Sequence, residues 1–247
     1  MKPILLLLLL SVLACDFKTA NEKSKPEKQA ADGVAKSYYA DGKLRAEIQM
    51  QNGKKNGRAK EYFKNGKVSM EIDYKDDIKH GQLIRYYETG TLFKEATYVN
   101  GKLSGIEKKY RSDGKLIAEM PYNNNNPCMG LKEYLTDGSE RKKYPTIIVK
   151  PIDTIIKDGK YALEISMSDG SKIVEYHRGD LLDGGCLGNF IGGIFPGKKK
   201  GTGLITYTLP SGGFLMDEIN IVAKVKTLQG NYYITQRKYN VAIENRF

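Results

Sequence analysis

Tyr62-Phe63-Lys64-Asn65-Gly66-Lys67-Val68-Ser69-Met70-Glu71-Ile72-Asp73-Tyr74 is one unit of a pattern that returns every 24 residues. Tyrosines stand at Tyr38, Tyr62, Tyr86, Tyr110 and Tyr134, and each is followed four residues later by Gly42, Gly66, Gly90, Gly114 or Gly138. Leu44, Val68, Leu92 and Leu116 come next, then Glu47, Glu71, Glu95 and Glu119. A period in this range marks a repeat architecture. Asn-Gly and Asp-Gly between alternating apolar residues predict β-hairpins closed by two-residue type I′ turns. A second glycine series, Gly57, Gly81 and Gly105, closes the links between units, so each unit holds two strands and two turns. Val68, Met70, Ile72 and Tyr74 point one way and Ser69, Glu71 and Asp73 the other. With Asn65-Gly66 as the loop, Phe63 faces Val68 and Lys60 faces Glu71. The same register sets Lys108 opposite Glu119.

These residues resemble a known family, the bacterial variant of the MORN repeat. The resemblance rests on Tyr62…Asn65-Gly66…Val68…Glu71…Tyr74…Gly81 and on Tyr86…Gly90…Leu92…Glu95…Tyr98…Asn100-Gly101-Lys102…Gly105. It covers residues 36–144 and implies an elongated single-layer antiparallel meander of about five repeats. Arg111 and Leu135 replace the second aromatic of the unit, Asn123–Cys128 disturb the link, and the fifth copy reads as a degenerate cap. Some relatives with such repeats are described as antitoxins, which implies an antitoxin-like or immunity-type neutraliser as an alternative function.

Residues 1–14 read as a lipoprotein signal peptide. Lys2 gives a positive start, Ile4–Leu13 is an apolar run too short to span a bilayer, and Val12-Leu13-Ala14-Cys15 resembles a lipobox. Cys15 is the expected lipidation site, and two or more acyl chains suffice for stable anchoring. Residues 15–37 then form a flexible tether, too polar to order itself. The protein is thus expected to be exported and lipid-anchored to the bacterial cell envelope.

The repeat register runs over 38–144. Residues 145–247 follow with strand candidates at Thr146–Lys150, Tyr161–Ser168, Ser171–His177, Leu204–Leu209, Glu218–Thr227 and Tyr232–Ile243. Asp169-Gly170 reads as a hairpin turn between the second and third, and Gln229-Gly230-Asn231 joins the last two. No helical period is visible. The expected fold class is all-β, the meander followed by a small β-sandwich for which an immunoglobulin-like topology is one option.

Nothing points to a catalyst. The two histidines, His80 and His177, lack ligand spacing, so no metal or other cofactor is expected. Gly197–Gly203, with Lys198, Lys199 and Lys200, lacks phosphate-loop spacing and reads as a lysine-tipped hairpin. The glutamate series invites comparison with glycan hydrolases, the third functional reading, but lysines face two of the four carboxylates and an open sheet offers no cleft. The tyrosine series reads as packing, as an aromatic strip, or as both. Tyr38, Tyr62, Tyr86, Tyr110, Tyr134 and Lys94 are the candidate binding residues, for an envelope protein or glycan. The net charge of +11 favours anionic surfaces, while export argues against nucleic acid. Cys128 and Cys186 form a candidate disulfide in an oxidising compartment. The preferred reading is a non-catalytic binding or scaffold module.

Overall fold

A computed structural model describes residues 32–188 and 194–246. Cys15, the apolar run and most of the tether lie outside the described residues. Alternating side chains and regularly spaced turns generate one large antiparallel sheet. Its strands are β1 (Gly33–Tyr38), β2 (Leu44–Gln51), β3 (Lys54–Tyr62), β4 (Val68–Lys75), β5 (Ile78–Tyr86), β6 (Leu92–Val99), β7 (Lys102–Leu103), β8 (Gly105–Tyr110), β9 (Leu116–Asn123), β10 (Asn126–Pro127) and β11 (Lys132–Glu133). Successive strands pair along the sheet, except that β7 and β8 both pair with β6 and that β11 returns to pair with β9. The sheet begins at Gly33, so residues 33–37 belong to β1 and not to the tether. The backbone ladder from Gly33↔Met50 to Tyr38↔Leu44 orders this polar segment without burying it.

Two kinds of turn alternate. Asn52-Gly53, Asp76-Asp77, Asn100-Gly101 and Asn124-Asn125 have positive φ at both positions, as type I′ turns require. The turn after each repeat tyrosine differs from the expected two-residue loop. The Gly66 N–H donates to the Phe63 carbonyl and the Phe63 N–H to the Lys67 carbonyl. Gly66 has φ +85°, so this is a three-residue loop closed by a left-handed bulge residue. The extra residue puts Tyr62, not Phe63, opposite Val68, yet the bulge leaves Lys60↔Glu71 and Lys108↔Glu119 paired. Gly57, Gly81 and Gly105 stand within or at the start of β3, β5 and β8 rather than closing turns.

The second unit is a sandwich. Its elements are β12 (Ile147–Thr154), α1 (Ile155–Asp158), β13 (Lys160–Met167), β14 (Val174–Arg178), β15 (Phe195–Pro196), β16 (Gly203–Thr208), β17 (Phe214–Lys226) and β18 (Tyr232–Glu244). The sheets are ordered β12-β13-β16-β15 and β14-β17-β18. Lettered in chain order these are A-B-E-D and C-F-G, the constant-type immunoglobulin arrangement. Leu163 and Ile165 of the first sheet pack with Ile219, Ile221 and Val225 of the second, all at most 1% exposed. Each such side chain contributes about 1.5–3 kcal/mol by burial. Tyr176 on β14 fills the buried aromatic position of strand C.

Two expectations are corrected here. Asp169-Gly170 does form a turn, with the Gly170 N–H on the Met167 carbonyl, but β13 and β14 lie in opposite sheets and do not form a hairpin. Both strands send alternate residues into the same core, so the chain must cross between layers. The single turn of helix α1 is too short to show a 3.6-residue period.

The two units share a junction. Met120, Leu131 and Ala118 pack with Tyr144, Tyr232 and Tyr233, and the Tyr144 and Tyr233 rings stack at 4.9 Å. Cys128 and Cys186 are joined by a disulfide. Glu133, 0% exposed, accepts from Arg141 Nη1 at 2.9 Å, Asn231 Nδ2 at 2.9 Å and the Thr227 hydroxyl at 2.5 Å. A buried carboxylate is tolerated only when its oxygens are so supplied.

Candidate functional site

Period-2 alternation gives the repeat sheet two unlike faces. On one, Ala59, Ile72, Leu83 and Ala96 are buried beneath Met70, Tyr74 and Tyr98. Lys55 and Lys79 lie over the Tyr74 and Tyr98 rings, 5.1 and 5.3 Å from their centroids. Tyr74, Tyr98 and Tyr122 form a second 24-residue tyrosine series, part of the repeat motif but not among the candidate binding residues named from sequence.

The opposite face carries the residues named from sequence. Cross-strand register sets Glu47, Lys60, Glu71, Ile84, Glu95, Lys108, Glu119 and Lys132 in one continuous file. At about 4.8 Å per strand it runs roughly 35 Å. The repeat tyrosines lie against it. Tyr62 donates its hydroxyl to Glu47 at 2.6 Å, Tyr110 to Glu95 at 2.8 Å and Tyr134 to Glu119 at 2.9 Å. Burial, then the bonded carboxylates, push the Tyr62 and Tyr110 hydroxyls up to about 12. They therefore remain donors throughout the physiological range. The stability these raised values confer is complete below pH 10 and is lost as pH rises through about 12.

Tyr86 breaks the series. Its expected acceptor, Glu71, is taken by Arg58 Nη1 at 3.2 Å. Arg58 also forks onto Asp73, with Nε to Oδ1 at 2.8 Å and Nη2 to Oδ2 at 3.2 Å. That bond holds the Asp73 carboxyl below its ordinary range. The Tyr86 hydroxyl donates to none of the described residues, and the ring sits near the middle of the face. Tyr38, on the edge strand, is half exposed.

The residue after three of the repeat tyrosines stitches neighbouring turns together. Tyr39 donates to the Tyr62 carbonyl at 2.5 Å and Tyr87 to the Tyr110 carbonyl at 2.7 Å. Arg111, which departs from the aromatic pattern, reaches the Tyr134 carbonyl at 2.9 Å and so does the same work.

Lys94 does not join the tyrosines. It neighbours Glu95 on β6 and must point to the other face, where its ammonium pairs with Glu107. Glu107 is 3% exposed and occupies the repeat position of Ala59 and Leu83. Lys109 completes the cluster, 3.7 Å from Glu107 and donating to Asn231 Oδ1 at 3.0 Å. This ionic group belongs to the junction.

The geometry suits recognition more than bond cleavage. Neighbouring file glutamates are two strands, about 10 Å, apart, and three of them accept tyrosine hydroxyls. The carboxyls with displaced pKa, Asp73, Asp137 and Asp158, are all moved down, by bonds from Arg58, Ser139 and Thr154. A general acid needs the reverse. Among the described residues no histidine, cysteine or carboxylate group is arranged to hold a metal ion. His80 accepts a long 3.5 Å bond from the Asn100 N–H. Of the stretch Gly197–Gly203, residues 197–202 form a hairpin loop between β15 and β16, and Gly203 opens β16.

The MORN repeat variant family matches four tandem stretches, residues 31–52, 55–76, 79–100 and 103–124. The chain is similar to that family over these repeats, which end before the sandwich. No curated protein matches the chain.

Proposed function

We propose that this protein, built on MORN-variant repeats, is an exported, lipid-anchored, non-catalytic module that receives an extended envelope macromolecule on its tyrosine–glutamate face. The observation that carries the reading is the file of glutamates and lysines, roughly 35 Å long, alternating except at Ile84 and flanked by Tyr38, Tyr62, Tyr86, Tyr110 and Tyr134. Most of these hydroxyls are committed inward, so the rings and the lysine ammoniums are what the face offers a partner. Tyrosine anchors partners well because its ring supplies area at small entropic cost. Lys94 is no part of this surface.

Two variants test it. Tyr86→Ser combined with Lys60→Gln should lower partner capture from host envelope about tenfold, the size of a modest interface hot spot. The melting temperature should stay within a few degrees, since the Tyr86 hydroxyl holds nothing in the fold. Undiminished capture would remove the face from consideration. The anchor is tested separately: Cys15→Ala should abolish fatty-acid labelling and release the protein from membranes, and continued membrane association would refute lipidation at that residue.

A further inference from the structure

At one end of the sandwich three connections meet: β13–β14, β15–β16 and β17–β18. These are the B–C, D–E and F–G loops of the immunoglobulin arrangement. Gly201 brings the first two together. At φ +85°, a Cβ there would lie 2.4 Å from the Ser171 carbonyl oxygen and 2.8 Å from the Lys172 Cα. Only glycine permits that approach, and Tyr176 fixes it by donating to the Gly201 carbonyl at 3.1 Å. The Lys226 N–H donates to the Ile173 carbonyl at 2.9 Å and ties in the third connection.

The result is a concentration of positive charge. Lys172, Lys198, Lys199, Lys200 and Lys226 gather on these loops, and among the described residues none of the five forms an ion pair. The nearby carboxylates are occupied. Asp169 caps its own turn by accepting from the Ser171 N–H and hydroxyl. Glu175 pairs with Lys224, which also lies over the Tyr232 ring. Between the lysines stand two exposed apolar side chains, Leu228, with its surface fully accessible, and Ile173, 62% exposed. Both line a cleft of about 600 Å³ that also includes Lys172, Lys226 and Arg141.

A single exposed leucine means little. An apolar tip ringed by unpaired lysines has the composition that an anionic bilayer selects. Ammonium groups gain energy from phosphate headgroups while the apolar tip enters the interfacial region. A soluble acidic polymer would use the lysines but would leave Leu228 in water. We propose that this loop end docks on an anionic lipid surface, with Leu228 and Ile173 inserting and the five lysines facing headgroups. The proposal is independent of acylation at Cys15.

All eighteen strands, the apolar clusters and the disulfide lie at or after Gly33. A chain from Asp32 to Phe247 therefore carries the complete described fold and none of the apolar leader. It should co-sediment with phosphatidylcholine vesicles containing phosphatidylglycerol and not with pure phosphatidylcholine, and salt should weaken the binding. Lys198→Glu, Lys199→Glu and Lys200→Glu together should reduce it about 100-fold or more. Leu228→Ser should weaken vesicle binding several-fold while leaving retention on a soluble acidic polysaccharide unchanged. All four positions are exposed, so unchanged melting curves would show that the fold persists. Three results would overturn the proposal: no dependence on phosphatidylglycerol, indifference to the lysine reversals, or polysaccharide retention with vesicle binding insensitive to Leu228→Ser. The last would assign the loops to an acidic polymer.

Discussion

Glu133→Ala is expected to lower the stability of the protein by about 3–5 kcal/mol, the usual cost of removing one member of a buried ionic cluster. The alanine would strand the Arg141 guanidinium, the fully buried Asn231 amide and the Thr227 hydroxyl, which all converge on this carboxylate. Most of the loss comes from groups that give up water on folding and then find no acceptor. Glu133→Gln keeps an acceptor for Asn231 and Thr227 while removing the charge opposite Arg141, so it should fall between parent and alanine. Urea unfolding monitored by tyrosine fluorescence measures both. An alanine variant within about 0.5 kcal/mol of the parent, the range of an ordinary surface change, would contradict the described junction.

Loss of the Cys128–Cys186 disulfide is the second large effect. The cysteines are 58 residues apart in sequence, and closing a loop of that size corresponds to about 4 kcal/mol in the chain-entropy account. A Cys128→Ala, Cys186→Ala double variant should therefore unfold at distinctly lower urea, and reduction of the parent should reproduce the shift. Peptide mapping without reductant checks the bond itself. Both thiols found free in exported protein would contradict the bond, as would a double variant as stable as the parent.

Much of the first unit was legible because its information is local. The type I′ turns fall in the links, not after the repeat tyrosines, and Asn124-Asn125, read as part of a disturbed link, turns like Asn52-Gly53 and Asn100-Gly101. The pairings Lys60↔Glu71 and Lys108↔Glu119 follow from a loop centred on Asn65-Gly66 and its repeat equivalent, and they hold because the bulge restores that register. The turn at Gly66 was misread because a bulge residue adds one position without disturbing the pattern further along the strands. Lys94 was misplaced although the alternation already separates it from Glu95. The sandwich was harder for a different reason. Asp169-Gly170 signals a turn, but whether the following strand pairs or crosses depends on which core Tyr176 enters. Strand β15 contains only Phe195 and Pro196 and carries no periodic signal. Glu133 looks like one more polar repeat residue, and its partners Thr227 and Asn231 lie more than 90 positions away.

The junction also decides how the proposed binding face must be tested. Separating the chain near residue 144 would cut the disulfide and expose Met120, Tyr233 and Glu133, so the full chain has to be used. The most direct measurement is site-specific photo-crosslinking in the host envelope, with the reactive residue placed at Thr97, Glu61 or Lys238. Thr97 is exposed on β6 and shares the face of Glu95, whereas Glu61 lies on the opposite face of the sheet and Lys238 on the sandwich. A partner adduct from Thr97, with none from Glu61 or Lys238, is the predicted result. Adducts from Glu61 or Lys238 with none from Thr97 would contradict it, and adducts from Lys238 alone would reduce the repeat sheet to a spacer.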